Sequence, residues 1–216
     1  MALGRSDRND AMQSFDLFSF GHSNLPIQRF LAILQAAGVS GIADVRSTPM
    51  SRRFPWFSRN ALAARLAREG MQYEWYGDTL GGRPRHPELY SEGVADYEAM
   101  AQQPDFQAAI ATLSALAARC RVSLVCAERE PLDCHRCLLV ARALAERGLA
   151  IGHILHNGVI ESHATIEQRL LAPNRQDDDL FLTGQNDRLA AAYRRRARAV
   201  AYRAKTDGAS SVAERR

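Results

Sequence analysis

RVSLVCAEREPLDCHRCLLVARALAERG, residues 121–148, is the stretch that decides the fold. In its first eight residues Val122, Leu124, Val125 and Cys126 leave no polar face. A strand that is apolar on both sides belongs in the middle of a parallel sheet, covered by helices above and below. From Asp133 the period changes to that of a helix, with Asp133 in the N-cap position and Gly148 just past the end. Strand, polar loop and helix follow one another within 28 residues.

The same alternation extends in both directions. DLFSFGHS (16–23) reads as a strand ending at Gly21. LPIQRFLAILQAAG (25–38) reads as a helix: Pro26 suits its first position, Phe30, Leu31, Leu34 and Ala37 share one face, and Gly38 closes it. GIADVRS (41–47) is a second strand, Ser58 to Gly70 a second helix, and QYEWYGDTLGG (72–82) a third strand running into a glycine turn. Residues 83–103, broken by prolines, read as irregular. FQAAIATLSALAARC (106–120) is helical by period, LAIGHILHNG (149–158) is a last strand, and HATIEQRLL (163–171) is a helix. Strands alternating with helices through short turns predict an α/β layered fold with a mostly parallel central sheet and right-handed crossovers.

With 216 residues, 46% of them hydrophobic, the chain has material for one core. Residues 1–15 read as a disordered leader, 16–172 as the α/β domain, 173–187 as a polar linker and 188–216 as a basic helical arm with a disordered tail. No apolar run approaches the roughly 20 residues that span a bilayer, and the N-terminus lacks a signal-peptide core. The expectation is a cytoplasmic protein with no membrane partner. The net charge is +4, and from Arg188 onward nine basic residues stand against two acidic ones. Such an arm either meets nucleic acid or an anionic partner, or is a solvated helix with a loose end.

Polar groups collect at one edge. The strand ends carry Gly21-His22-Ser23, Asp44-Val45-Arg46-Ser47 and Cys126-Ala127-Glu128, and the following helix opens with Cys134-His135-Arg136. In open parallel sheets ligands bind outside the carboxyl ends of the strands, so these segments predict a site. His22 could instead bond a neighbouring loop, and Asp44 could be the buried partner of Arg46.

Four chemistries bear on residues 126–137. Cys134 and Cys137 have C-x-x-C spacing at a helix start, a redox signal, but thioredoxin-like folds carry it in the first half of the chain. Cys126, Cys134, Cys137 and a histidine could fill a zinc site, although no second C-x-x-C exists. A phosphatase-type loop after Cys126 is rejected: Leu132 stands where an arginine is needed, and Glu128, Glu130 and Asp133 would repel a phosphate. A mixed acid and anion site remains. There the amides at the helix start, with Arg136 and Arg46, hold an anionic group. Glu128, Asp44 and His22 or His135 do acid–base work. Cys134 is either a nucleophile of lowered pKa or a packed apolar residue.

GHS, DVRS with the following SRRFPWFS, LGGR and CAEREPLDCHR together resemble the family called domain of unknown function 488, over roughly residues 17–171. The resemblance implies a Rossmann-like three-layer α/β domain. It also implies a shared polar set: His22, Ser23, Asp44, Arg46, Cys126, Glu128, Cys134, His135 and Arg136. Cys137 lies outside that pattern, which counts against the C-x-x-C and zinc readings. In SRRFPWFSRN (51–60) Arg52, Arg53 and Arg59 interleave with Phe54, Trp56 and Phe57, which suits base stacking and phosphate binding, although Phe57 could simply plug the core. Arg83 and Arg85 could join that rim.

Three functions are therefore expected, in order. The first is a hydrolase or transferase acting on a nucleotide or nucleic-acid-derived substrate, with Glu128, Cys134, His135, Asp44 and His22 catalytic and Arg46, Arg136, Ser23, Arg53 and Arg83 binding. The second is a non-catalytic nucleic-acid-binding or DNA-processing accessory protein. The third is a metal-binding protein through Cys126, Cys134 and His135. The sequence names no cofactor and no oligomeric state.

Overall fold

The computed structural model describes residues 15–172 and 184–204. Six strands form the main sheet: β1 Leu17–Gly21, β2 Gly41–Asp44, β3 Gln72–Trp75, β6 Val122–Cys126, β7 Ile151–Ile154 and β8 Ile160–Ser162. Their spatial order is β3-β2-β6-β1-β7-β8. All neighbours are parallel except β8, which returns antiparallel on β7. The stretch 149–158 thus contributes β7, and residues 160–162 add an edge strand that the sequence pattern had not shown. β6 is buried along its whole length between β1 and β2, as its two apolar faces predict.

Two apolar clusters lie on opposite faces of this sheet, which makes three layers. On one face Phe18, Phe20 and Val125 pack against α1 (Ile27–Ala36) and α2 (Arg59–Arg68) through Phe30, Leu34, Leu62 and Leu66. Phe57, in the 51–60 segment, is fully buried here. On the other face Leu17, Leu124 and Cys126 pack against α4 (Pro104–Ala117), α5 (Arg136–Ala141 with Arg142–Ala145), α6 (His163–Leu171) and α7 (Gln185–Val200). Alternation along β6 therefore puts the side chain of Cys126 on the α5 side. This is the Rossmann-like architecture expected.

Three local expectations change. Residues 83–103 hold a two-stranded hairpin, β4 Tyr90–Ser91 and β5 Val94–Ala95, followed by the short helix α3, Tyr97–Ala101. The helix after β6 does not begin on Asp133. A 3-10 turn covers Pro131–Asp133, Cys134 is extended at φ −140° and ψ 137°, and a widened π-helical turn, Arg136–Ala141, runs into α-helix Arg142–Ala145; these last two segments are α5. α7 starts inside the stretch read as linker and packs on the domain, with Tyr193 and Ala192 buried. The leader and tail expectations, and most of the linker, fall outside the described residues. Among the described residues no helix is long and apolar enough to cross a membrane.

Candidate functional site

The parallel register brings the predicted segments to one edge. Gly21 lies opposite Cys126, and Asp44 opposite Val125. Beyond the ladder, His22 N–H donates to Cys126 O and Ser23 N–H to Ala127 O, both at 2.9 Å. Ser23 holds φ at 44°, a left-handed conformation that side-chain-bearing residues adopt at a cost. A Cβ on Gly21 would stand 1.8 Å from Glu128 O, so only glycine lets the loop after β6 cross β1 this closely.

Cys134 is the N-cap of α5. Its carbonyl accepts from Cys137 N and Leu138 N, each at 3.0 Å, and its sulfur accepts from Arg136 N at 3.5 Å. The extended cap turns its side chain back towards Cys126. Glu128 Oε2 then lies 2.9 Å from Cys126 Sγ and 3.0 Å from Cys134 Sγ. His135 Nδ1 lies 3.8 Å from Cys126 Sγ and 3.9 Å from Cys134 Sγ. The other ring nitrogen, Nε2, donates to Val45 O at 2.8 Å, which aims Nδ1 at the sulfurs. Taking one ligand atom from each, these four side chains lie within 4.8 Å of one another. They could hold a metal ion.

Without a dication the cluster must share protons, because like charges this close cannot all persist. Burial and the proximity of Cys134 push the Cys126 thiol well above its ordinary range. Glu128 is exposed as a residue, but its carboxylate is turned in to the two sulfurs, and that desolvation, with the charge on Cys134, raises its pKa. For Cys134 burial alone would raise the thiol, but the hydrogen bond from Cys126 and the cations Arg136 and His135 take it well below its usual value. Burial works against a charged His135, yet the Cys134 charge raises its pKa. The negative charge thus settles on Cys134.

The remaining predicted residues fall into two groups. Asp44 is fully buried and binds Arg46 through both carboxylate oxygens, at 2.8 Å to Nε and 2.5 Å to Nη2, and accepts from Tyr73 Oη at 2.6 Å. Arg46 also donates to Phe57 O at 2.7 Å and meets His22 Nε2 at 3.2 Å. Its guanidinium is therefore engaged by the protein, and this trio braces the site's floor. Arg136 is wholly buried and reaches Ser19 Oγ, Glu128 O and Arg129 O, so it holds the loop after β6 from beneath. Burial and Arg46 lower the pKa of His22 to about 4, which keeps it neutral.

Two adjoining clefts open at this edge. One, of about 260 Å³, is lined by Arg83, Tyr97, Glu128, Cys134, His135 and Tyr202 among others. The second, of about 460 Å³, is lined by His22, Ser23, Arg53, Phe54 and Met50. Arg46, Thr48 and Ala127 border both. Glu128, Cys134, His135 and Arg83 thus share one cleft, and His22, Ser23 and Arg53 share the other. Asp44 and Arg136 line neither.

Sequence reasoning missed Tyr97, Tyr202 and Gly82. Tyr202 arrives from the far end of the chain: its carbonyl accepts from Ala95 N at 2.9 Å, so residues 202–204 extend the β4–β5 hairpin. Arg83 stacks over its ring at 4.8 Å. Gly82 lies flat against His135, where an added Cβ would come within 2.7 Å of the ring. LGGR was visible as a motif, but its contact with His135 was not.

No curated protein and no solved structure matched the chain. A family model, Domain of unknown function DUF488, matches residues 26–143, more than half of the chain and all of the segments that build the sulfur cluster. The cluster and its bracing lie within that match, apart from Ser19, Gly21, His22 and Ser23, and the chain belongs to the DUF488 family.

Proposed function

We propose that the protein is an enzyme, a hydrolase or transferase, acting on a nucleotide or nucleic-acid-derived substrate at the carboxyl edge of the sheet. The observation that carries this reading is that the Cys126–Glu128–Cys134–His135 cluster lies at the edge of an open cleft, with Glu128 exposed. A purely structural cluster gains nothing from an opening. The two clefts, about 260 and 460 Å³, together fall within the roughly 300–1,000 Å³ typical of small-molecule sites. Arg83 beside Tyr202, and Arg53 beside Phe54, put a cation next to an aromatic ring in each cleft, a pairing that suits phosphate and base. A reducing cytoplasm is the compartment in which four free cysteines persist.

The accessory-protein reading leans on the basic arm. In the described part of that arm Arg194, Arg196 and Arg198 pair with Glu98, Asp133 and Glu92. Charges already paired on the domain contribute less to a nucleic-acid footprint.

The test is binding and turnover of a panel of mononucleotides, dinucleotides and short oligonucleotides. Arg83→Ala should weaken binding about tenfold or more, the usual value of a lost charge-assisted contact. Glu128→Gln should bind and fail to turn over. A wild-type protein that neither binds nor converts any member of the panel would remove this reading.

A further inference from the structure

The four side chains at the cleft floor have the composition of a zinc site rather than of a proton relay. Tetrahedral zinc, with bonds of about 2.3 Å to sulfur and about 2.0–2.2 Å to nitrogen or oxygen, sets its ligand atoms about 3.5–3.8 Å apart. The sulfur–nitrogen separations here, 3.8 and 3.9 Å, lie close to that spacing; the sulfur–oxygen separations, 2.9 and 3.0 Å, are about half an ångström shorter, so the Glu128 carboxylate would move back by that much to admit the ion. Two sulfurs, an imidazole and a carboxylate suit zinc better than hard cations such as magnesium.

One further observation points the same way, and a second is compatible with it. Histidines that ligate metals almost always donate the other ring N–H to a carbonyl or carboxylate, and His135 Nε2 does so to Val45 O at 2.8 Å. The second is Arg136. Its side chain is 0% exposed, its guanidinium bonds a hydroxyl and two main-chain carbonyls, and the charge it meets is that of the cluster, Cys134 first. A buried guanidinium needs an anion close by. Two thiolates, a carboxylate and a neutral imidazole around zinc would leave the cluster one net negative charge, the same charge that the metal-free Cys134 thiolate presents, so Arg136 serves as counter-charge in either state, and Arg136 N already donates to the sulfur of Cys134.

We propose that Cys126, Glu128, Cys134 and His135 bind one zinc ion, with Arg136 as its buried counter-charge. Zinc-bound Cys126 and Cys134 act as ligands, not nucleophiles. Glu128 is the exposed member, so it is the ligand that water or a substrate oxygen would replace. The assignment goes beyond the enzyme reading and does not depend on it.

Elemental analysis of full-length protein, made without an affinity tag and kept reduced, should find about one zinc per chain. Cobalt(II) put in its place should give thiolate-to-cobalt absorption in the near ultraviolet. The double variant Cys126→Ser/Cys134→Ser should lose both signals, whereas Cys120→Ser, outside the cluster, should keep them. Should the double variant not fold, the wild-type cobalt spectrum decides. Wild-type protein free of zinc and without the cobalt band would overturn the assignment, as would a folded double variant that retains wild-type zinc. Zinc bound through these sulfurs in a protein that converts no nucleotide would sustain the centre and remove the enzyme reading.

Discussion

His135 Nε2 lies 2.8 Å from the carbonyl oxygen of Val45, a residue 90 positions earlier in the chain. The bond joins the first turn of α5 to the end of β2. It fixes which nitrogen of His135 faces the sulfurs, and a main-chain carbonyl cannot be lost by substitution. The cluster is thus oriented by the sheet, not by its own loop.

Gly82 closes the opposite side of the same ring. A Cβ at this position would come within 2.7 Å of the His135 ring carbon Cγ and 2.8 Å of Nδ1. Gly82→Ala should therefore tilt the imidazole and lower zinc affinity about 10–100-fold, the usual effect of disturbing a ligand's orientation. Competition with a chromophoric chelator measures this, and an affinity equal to wild type would show that the loop does not position the ring.

Asp44 and Arg46 are 0% and 6% exposed. Removing one member of a buried pair strands the other's charge, at a cost of about 3–5 kcal/mol. Asp44→Asn should reduce unfolding free energy in urea by about that amount. A loss below about 1 kcal/mol would mean that water reaches Arg46 freely.

Acid should destabilise the protein in a defined window. His22 and His163 each have a pKa near 4 in the fold, lowered mainly by burial, against about 6.5 when unfolded. Below 6.5 the unfolded chain takes up protons that these imidazoles refuse. Their contribution is complete above pH 6.5 and is lost as pH falls towards 4, by up to about 3 kcal/mol each. His163 bonds His153 and Tyr193 Oη as a neutral ring. His163→Gln should flatten the slope of stability against pH between 6.5 and 4, and an unchanged slope would show that His163 is protonated in the fold.

How much of this was legible depends on how local the cause was. β6 could be read because burial on both faces leaves only one small polar residue, the buried Ser123, among the apolar side chains of 122–126. The two-stranded β4–β5 hairpin could not, because strands of two residues carry no alternation. The π-turn in α5 was hidden because a 3.6-residue pattern and a widened turn bury the same leucines. Asp133 has the chemistry of an N-cap, but the 3-10 turn at Pro131 advances the chain one residue, so Cys134 takes the role. Position alone suggested that Arg46 and Arg136 bind an anion. That Arg46 borders both clefts while held by Asp44, and that Arg136 lies buried against Ser19, are tertiary facts. Cys126 is both a packed strand-end residue and a neighbour of Cys134, because the alternation of β6 turns its side chain to the α5 side.

The central claim is that two sulfurs, one imidazole and one carboxylate meet on a single ion. X-ray absorption at the zinc edge of untagged, reduced protein tests it most directly. The account expects two sulfurs at about 2.3 Å and two nitrogen or oxygen neighbours at about 2.0–2.2 Å. A first shell made only of nitrogen and oxygen, or one with three or four sulfurs, would contradict it.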